Sequence, residues 1–171
     1  MKNRFEPGAT VMYGGHGVCT LLEITQKDFG GDLKEYYVLR PAFSGSSVFY
    51  VPLDSEPLTA KMRSIKTAEE LRAIMHAALP AEWVEEDRPR QNQFKAIVDG
   101  GGTEALVSSF KLLFDKQKQY AGEGRKLRAA DDRYMKDIEK LLYEEFSMVF
   151  SLSKEEVVPF VFGEIDLSEK V

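Results

Sequence analysis

The most reactive side chains in this sequence are two histidines and one cysteine. His16 lies in the run Gly14-Gly15-His16-Gly17, and His76 lies in a different predicted domain. Neither histidine is near a serine, cysteine or carboxylate pattern that is typical of a nucleophile or a metal cluster. His16 could serve as an acid–base group or a ligand. The preferred interpretation is a structural one, in which His16 is a turn residue whose side chain bonds its own backbone. We therefore predict no catalytic residue, no metal site and no cofactor.

The glycine run and the cysteine also favour structural interpretations. The run 14–17 matches neither GxGxxG nor a P-loop, and no predicted helix follows it to hold a phosphate. Cys19 lies inside a run of β-forming residues, where a small buried hydrophobe is the usual case. One cysteine forms no internal disulfide and no Cys-rich zinc site, so the sequence fits a reducing cytoplasm.

Trp83 is the only tryptophan, and it follows a proline turn in polar surroundings. Either it is exposed, or it packs between the strand-rich and helical parts of the chain. An exposed amphipathic aromatic can stabilise unstacked or kinked duplex DNA while nearby cations hold the phosphates. The candidate cations next to Trp83 are Arg88, Arg90 and Lys95.

Charge is unevenly distributed along the chain. The whole sequence has a net charge of −5, which excludes a general nucleic-acid-coating protein. Residues 111–140 carry nine Lys and Arg against six Asp and Glu, whereas residues 141–171 carry two against seven and form an acidic C-terminal tail. The basic segment includes Arg125, Lys126 and Arg128, which either meet a DNA backbone or form a solvated helix–loop face.

The elements that must position these residues change character near residue 66. Short runs of β-forming residues separated by glycine, serine and proline predict five strands, at 11–13, 18–24, 35–39, 48–51 and 62–65. Their connections are too short for crossover helices, so the sheet is expected to be antiparallel and curled into a half-barrel. This β domain is predicted to occupy residues 1–66.

Residues 67–171 predict an all-helical domain, which makes the fold class α+β. Thr67-Ala68-Glu69-Glu70 has the form of a capping box, and Pro80 ends the helix that it begins. Further helices are predicted at 90–98, from residue 103 onwards and at 131–150, and Ser153 begins a second capping box. No apolar run is long enough to span a bilayer, so we expect no membrane segment.

The N-terminal residues resemble a known family. They contain the motif Phe5-x-x-Gly8-x-x-Val11-x-Tyr13-x-x-His16-Gly17-Val18, and later Glu35-Tyr36-Tyr37-Val38-Leu39, Val51-Pro52 and Met62-Arg63. This pattern resembles the CarD/CdnL family of bacterial transcription regulators, whose RNA polymerase-interacting domain also occurs in the transcription-repair coupling factor. The resemblance covers about residues 3–150, and the helical part is matched more by layout than by identity.

The resemblance implies a Tudor-like half-barrel that docks on the β subunit of RNA polymerase. It also implies a helical domain that touches promoter DNA at the upstream edge of the transcription bubble, with Trp83 in the position of the family's wedge tryptophan. The implied polymerase-binding residues are Lys27, Glu35, Tyr50 and Pro52, and other members carry arginine at the position of Tyr50. Here Val84-Glu85-Glu86-Asp87 separates Trp83 from the following cations, and its carboxylates would repel a phosphate backbone.

Two hypotheses follow from these residues. The first is a monomeric, non-enzymatic cytoplasmic regulator that binds polymerase and changes the lifetime of the open promoter complex without reading sequence. The second is an adaptor of the same fold that binds polymerase or another protein without contacting DNA. A small hydrolase or metal enzyme has no supporting group of residues.

Overall fold

The computed structural model describes residues 4–163 of the chain. It divides the chain into two compact units, Met1–Ile65 and Lys66–Val171. The strands are β1 (Thr10–Tyr13), β2 (Val18–Asp28), β3 (Leu33–Pro41), β4 (Phe49–Pro52) and β5 (Met62–Ser64). The helices are α1 (Glu56–Thr59), α2 (Ala68–Ala77), α3 (Asp87–Gly100), α4 (Gly102–Gly122), α5 (Ala129–Phe150) and α6 (Lys154–Val161).

The first unit is a five-stranded antiparallel sheet with the strand order β4-β3-β2-β1-β5. Successive side chains of a strand point to opposite faces, and one of these faces carries a cluster of buried apolar residues. That face forms a core of Phe5, Val11, Tyr13, Cys19, Leu21, Tyr37, Leu39, Val51 and Met62. A β-bulge between Leu21 and Glu23 shifts the register of β2 against β3.

The sheet followed by helices confirms the α+β class and the five predicted strands. β2 and β3 extend further than their apolar runs, because a hairpin ladder continues beyond the residues that reach the core. The glycine run is a 3₁₀ turn over Gly14–His16, and Gly17 leaves it at φ 81°, which favours glycine. The short helix α1 was not predicted from the sequence.

The second unit begins at the capping box, which is present as predicted. Thr67 Oγ1 accepts from the backbone N–H of Glu70 at 3.2 Å, and Glu70 Oε2 accepts from the N–H of Thr67 at 2.8 Å. At the other end of α2, Lys111 Nζ donates to the carbonyls of Met75 and Ala78 at 3.2 and 2.8 Å. Both ends of α2 therefore have partners for backbone groups that the helix itself leaves unpaired.

The long helices bury apolar residues that recur along one face. α4 buries Leu106, Phe110 and Leu113, and α5 buries residues that include Ile138 and Phe146. The break between α3 and α4 depends on glycine, because a Cβ on Gly101 would lie 2.7 Å from the Cα of Ile97.

Helix α3 begins at Asp87, three residues earlier than predicted. An acidic residue in the first turn is favourable at the positive end of the helix dipole. Pro89 is tolerated there because the first backbone N–H groups of a helix have no partner within it. Within residues 4–163 no helix is long and apolar enough to cross a membrane. The last part of the acidic C-terminal tail, 164–171, lies outside the described residues.

Candidate functional site

Three of the four predicted polymerase-binding residues share one face of the sheet. Lys27 of β2 pairs with Lys34 of β3, and Pro52 of β4 pairs with Tyr36 of β3. Paired residues point to the same side, as do residues two apart on a strand, so Lys27, Pro52 and Tyr50 lie together on the face opposite the core. We call it the outer face.

Glu35 is the exception among the four residues. It alternates with Lys34 and Tyr36 along β3, so it lies on the core side of the sheet. Its side chain is nevertheless exposed, and its backbone carbonyl accepts from the N–H of Leu53 at 3.0 Å. The structure therefore separates Glu35 from Lys27 and Tyr50.

The outer face carries an exposed aromatic cluster that consists of Phe29, Tyr36 and Tyr50. The Phe29 ring lies edge-to-face with Tyr36 and with Tyr50, at centroid distances of 5.1 and 5.2 Å. Tyr36 and Tyr50 are also edge-to-face at 6.3 Å. Phe29 is 61% exposed and Tyr50 is 40% exposed. These three rings, the hairpin cluster, support one another while much of their apolar surface faces solvent.

The turn that presents Phe29 is held by Asp28. Its Oδ1 accepts from the backbone N–H groups of Gly31 and Gly30 at 2.7 and 3.0 Å. These hydrogen bonds lower the pKa of the Asp28 carboxyl below its ordinary value, and the bond from Gly31 has the larger effect. Gly31 has φ 116°, a conformation that favours glycine.

The second candidate site is built around Trp83, which lies in the coil between α2 and α3. On one side, the backbone N–H of Ala81 donates to the carbonyl of Ser108 in α4 at 3.1 Å. On the other side, the carbonyls of Val84 and Glu85 both accept from Arg90 at 3.0 Å. The indole is half-buried within the helical unit, and the coil on each side of it is fixed.

Arg90 is the centre of this arrangement. Its Nε and Nη2 bind both carboxylate oxygens of Asp131 in α5, at 3.1 and 2.7 Å. Nη2 also donates to Asp87 at 2.7 Å, while Nη1 donates to the two coil carbonyls. Arg90 is 2% exposed and Asp131 is 1% exposed. The hydrogen bonding of Arg90 to the Asp131 carboxylate is the largest of the effects that raise the pKa of the Arg90 guanidinium above its ordinary value.

Cations surround the aromatic rings of this site. The guanidinium carbon of Arg90 lies 4.3 Å from the Trp83 ring centroid, and Lys116 Nζ lies 5.0 Å from it. Tyr120 meets Trp83 edge-to-face at 6.3 Å, and the Arg125 guanidinium lies 4.3 Å from the Tyr120 centroid. Such distances are typical of cation–π contacts.

The rings open onto a small polar cleft of about 120 Å³, which we call the Trp83 cleft. Its lining consists of Trp83, Glu85, Asp87, Arg90, Tyr120, Arg125, Lys126, Arg128 and Asp131. The structure therefore brings together five of the seven residues predicted to meet DNA.

The other two predicted DNA residues lie elsewhere, and Arg90 has a different role. Arg88 and Lys95 are exposed and seven positions apart on α3, so they share its solvent face rather than the cleft. Arg90 is in the cleft wall but is buried, and all five of its donors are used. We therefore correct its assignment, because it has no donor left for a phosphate.

The acidic stretch after Trp83 also has a structural role. Asp87 binds Arg90 through one oxygen and Arg128 through the other, the latter at 3.0 Å. Arg125 pairs with Glu123 at 3.1 Å. Lys126 is exposed, and no ion pair within residues 4–163 engages it. The carboxylates thus neutralise much of the cleft's positive charge.

Sequence reasoning missed Tyr120 and Asp131 as parts of this site. Lys116 and Tyr120 are four positions apart on α4, a spacing that places them on one helix face and that the sequence already contained. No local pattern marks Asp131, because its partner Arg90 is 41 positions away in the chain.

The surroundings of His16 and Cys19 fit structural roles for both residues. His16 is exposed and stacks on Tyr13 at 5.2 Å, with Phe49 at 4.3 Å on its ring. Cys19 is buried in the sheet core. Among residues 4–163, no group of three His, Cys, Asp or Glu side chains is arranged to hold a metal ion.

Known proteins resemble the chain most specifically in its N-terminal unit. Residues 5–66 match the CarD-like/TRCF RID domain, which confirms the resemblance seen in the N-terminal motif. A domain of this type implies an interaction with RNA polymerase. Over 158 residues the chain is 22% identical to "Putative transcription factor YdeB" of Bacillus subtilis (strain 168), a match that spans 91% of this chain and 99% of that protein.

Proposed function

We propose that this chain, whose residues 5–66 form a CarD-like RNA polymerase-interacting domain, is a bacterial transcription regulator that binds the polymerase β subunit. It uses the outer face of the sheet for that contact. The observation that carries the proposal is the family match, together with the exposed residues Lys27 and Tyr50 and the hairpin cluster on one face. The family and the named relative point to regulation rather than to catalysis.

The helical unit then acts on promoter DNA at the upstream edge of the bubble. Trp83 provides an amphipathic ring, and Lys126, Arg125 and Arg128 provide exposed cations around it. A factor that contacts the melted promoter better than the closed promoter shifts the equilibrium by that difference alone, here about 1–3 kcal/mol. Phosphate contacts carry no base information, so the polymerase selects the promoter.

The location and stoichiometry follow from this role. A polymerase-bound regulator works in the bacterial cytoplasm, and one copy is sufficient for one polymerase. The helical unit buries its apolar stripes within a single chain, which fits a monomer.

The adaptor hypothesis remains the second candidate because of the charges in the Trp83 cleft. Asp87 pairs with Arg128, and Glu123 pairs with Arg125, so two of the exposed cations already have carboxylate partners. An adaptor would bind polymerase without any contribution from contacts with DNA. Stabilisation of promoter complexes that depends on phosphate contacts falls steeply with added salt, and an adaptor's effect does not.

The proposal is tested by the affinity of the full-length chain for bacterial RNA polymerase. Lys27→Glu places a negative charge on the outer face and is expected to weaken binding at least tenfold. Lys95→Glu makes the same charge change on the solvent face of α3 and serves as the matched control. Equal binding by wild type and Lys27→Glu would contradict docking through the outer face. A salt titration of promoter-complex lifetime then separates regulator from adaptor.

A further inference from the structure

The buried Arg90–Asp131 pair has more contacts than an ion pair needs. A single guanidinium joins three elements: Asp87 in the first turn of α3, Asp131 in α5 and the carbonyls of the coil that follows Trp83. Its carbon also lies 4.3 Å from the centroid of the Trp83 ring. The Arg90 guanidinium therefore both fixes the coil and contacts the Trp83 indole.

This combination depends on the planar guanidinium. Arginine presents five donors in a fixed fork, and its flat face stacks on aromatic rings. Lysine has the same charge but only three rotatable donors, so it cannot bind a carboxylate at two points and hold two carbonyls at the same time. Stability alone does not explain the pair, because well-packed apolar residues often replace a buried ion pair at no cost.

The geometry points to Arg90 as a positioning residue. We propose that the Arg90–Asp131 pair sets the orientation of Trp83 in the cleft, and that Arg90 acts on promoter complexes only through that ring. The orientation of Trp83 follows from contacts within the helical unit. The effect of Arg90 on promoter complexes rests on the proposed function, so the two are measured separately.

Trp83 is the only tryptophan in the chain, so its fluorescence reports on this site directly. In the full-length protein, Arg90→Lys is expected to shift the emission of Trp83 to the red and to increase its quenching by acrylamide. Arg88→Lys, an exposed arginine two positions away on the same helix, is the matched control and leaves both unchanged. Circular dichroism establishes that each variant retains the helical content of wild type.

A second variant keeps the inference testable if Arg90→Lys does not fold. Arg90→Met combined with Asp131→Leu removes both buried charges together, which avoids leaving one of them unpaired. It is expected to fold and to show the same changes in Trp83 fluorescence. If a folded variant that lacks Arg90 has the emission maximum and quenching of wild type, the positioning role is refuted.

Promoter complexes give the functional readout. With polymerase binding unchanged, the Arg90 variants are expected to reduce the effect on open-complex lifetime to that of Trp83→Ala. A variant with altered fluorescence but an undiminished effect on lifetime would contradict the link between orientation and activity, provided that Trp83→Ala abolishes the effect. If Trp83→Ala itself changes nothing, the proposed DNA contact fails, and the fluorescence result still decides whether Arg90 orients the ring.

Discussion

Both units of this protein expose an aromatic cluster, and the neighbours of the rings differ. In the hairpin cluster, Phe29 contacts two tyrosines edge-to-face, and the contacts are between rings. In the Trp83 cleft, the tryptophan contacts one tyrosine, and the guanidinium of Arg90 and the ammonium of Lys116 lie over its ring. The first cluster has an apolar surface, and the second is set among charges.

Because of this difference, the two clusters suit two different kinds of partner. Apolar rings on a sheet face gain free energy when another protein removes them from water, and that gain changes little with salt. Rings among cations suit a polyanion, whose binding depends strongly on salt. The carboxylates of the cleft moderate that attraction, because Asp87 and Glu123 already pair with two of the surrounding arginines.

The Trp83 cleft, unlike the hairpin cluster, is built on a buried ion pair, so the strongest effect is expected on its stability. Arg90→Ala leaves Asp131 buried without its partner, so the helical unit is expected to lose about 3–5 kcal/mol of unfolding free energy. Arg88 is exposed on the same helix, so Arg88→Ala is expected to change the unfolding free energy by less than about 0.5 kcal/mol. Urea unfolding followed by circular dichroism measures both. Equal stability of the two variants would mean that the buried pair does not hold the cleft together.

The next effect concerns affinity for polymerase. Phe29→Ala removes the central ring of the hairpin cluster and is expected to weaken binding by about 1–3 kcal/mol, with little dependence on salt. Fold stability changes little, because Phe29 is 61% exposed. Leu79→Ala removes an apolar side chain that is 77% exposed in the helical unit, and it is the control. If both variants bind equally well, the hairpin cluster does not take part in docking.

A smaller effect is expected for the salt dependence of promoter complexes. Lys126→Ala removes one exposed cation of the cleft, so the slope of log stability against log salt is expected to fall by about one. Lys95→Ala removes a cation from the solvent face of α3 and is expected to leave the slope unchanged. Open-complex lifetimes at a series of salt concentrations measure both slopes. A larger change for Lys95→Ala would place the DNA contact on α3 instead.

The smallest effect concerns pH and the hairpin turn. Because the pKa of Asp28 is lowered in the folded protein, the ionised carboxylate stabilises the turn, and that contribution is present above the ordinary aspartate pKa. It is lost as pH falls through the lower folded pKa. We expect Asp28→Asn to weaken this acid dependence in NMR titrations of the Gly30 and Gly31 amides. An unchanged titration of these amides would show that another group causes it.

The sequence predicted local features better than long-range ones. The capping box at Thr67 and the strands of the sheet follow from spacing within a few residues, and the structure confirms them. Alternation along β3 also separates Glu35 from Lys34 and Tyr36, although the resemblance had grouped Glu35 with Lys27 and Tyr50. These features depend on neighbours in the chain, and one sequence is enough to read them.

The role of Arg90 could not be read in that way. From the sequence it was one of three cations near Trp83, and nothing local distinguished it from Arg88. The packing of α3 against α5 decides that one arginine is buried on Asp131 and the other is exposed. The acidic residues after Trp83 gave a similar difficulty, because Asp87 looks repulsive in the sequence and is a partner of two arginines in the structure.

In the proposed function, the sheet docks the protein on polymerase while the Trp83 cleft acts on the promoter. The most direct test is the lifetime of open promoter complexes with saturating wild type or Trp83→Ala, with polymerase affinity measured in parallel. We expect Trp83→Ala to bind polymerase as tightly as wild type and to lose the effect on lifetime. If Trp83→Ala has the same effect on lifetime as wild type, the cleft does not act on the promoter.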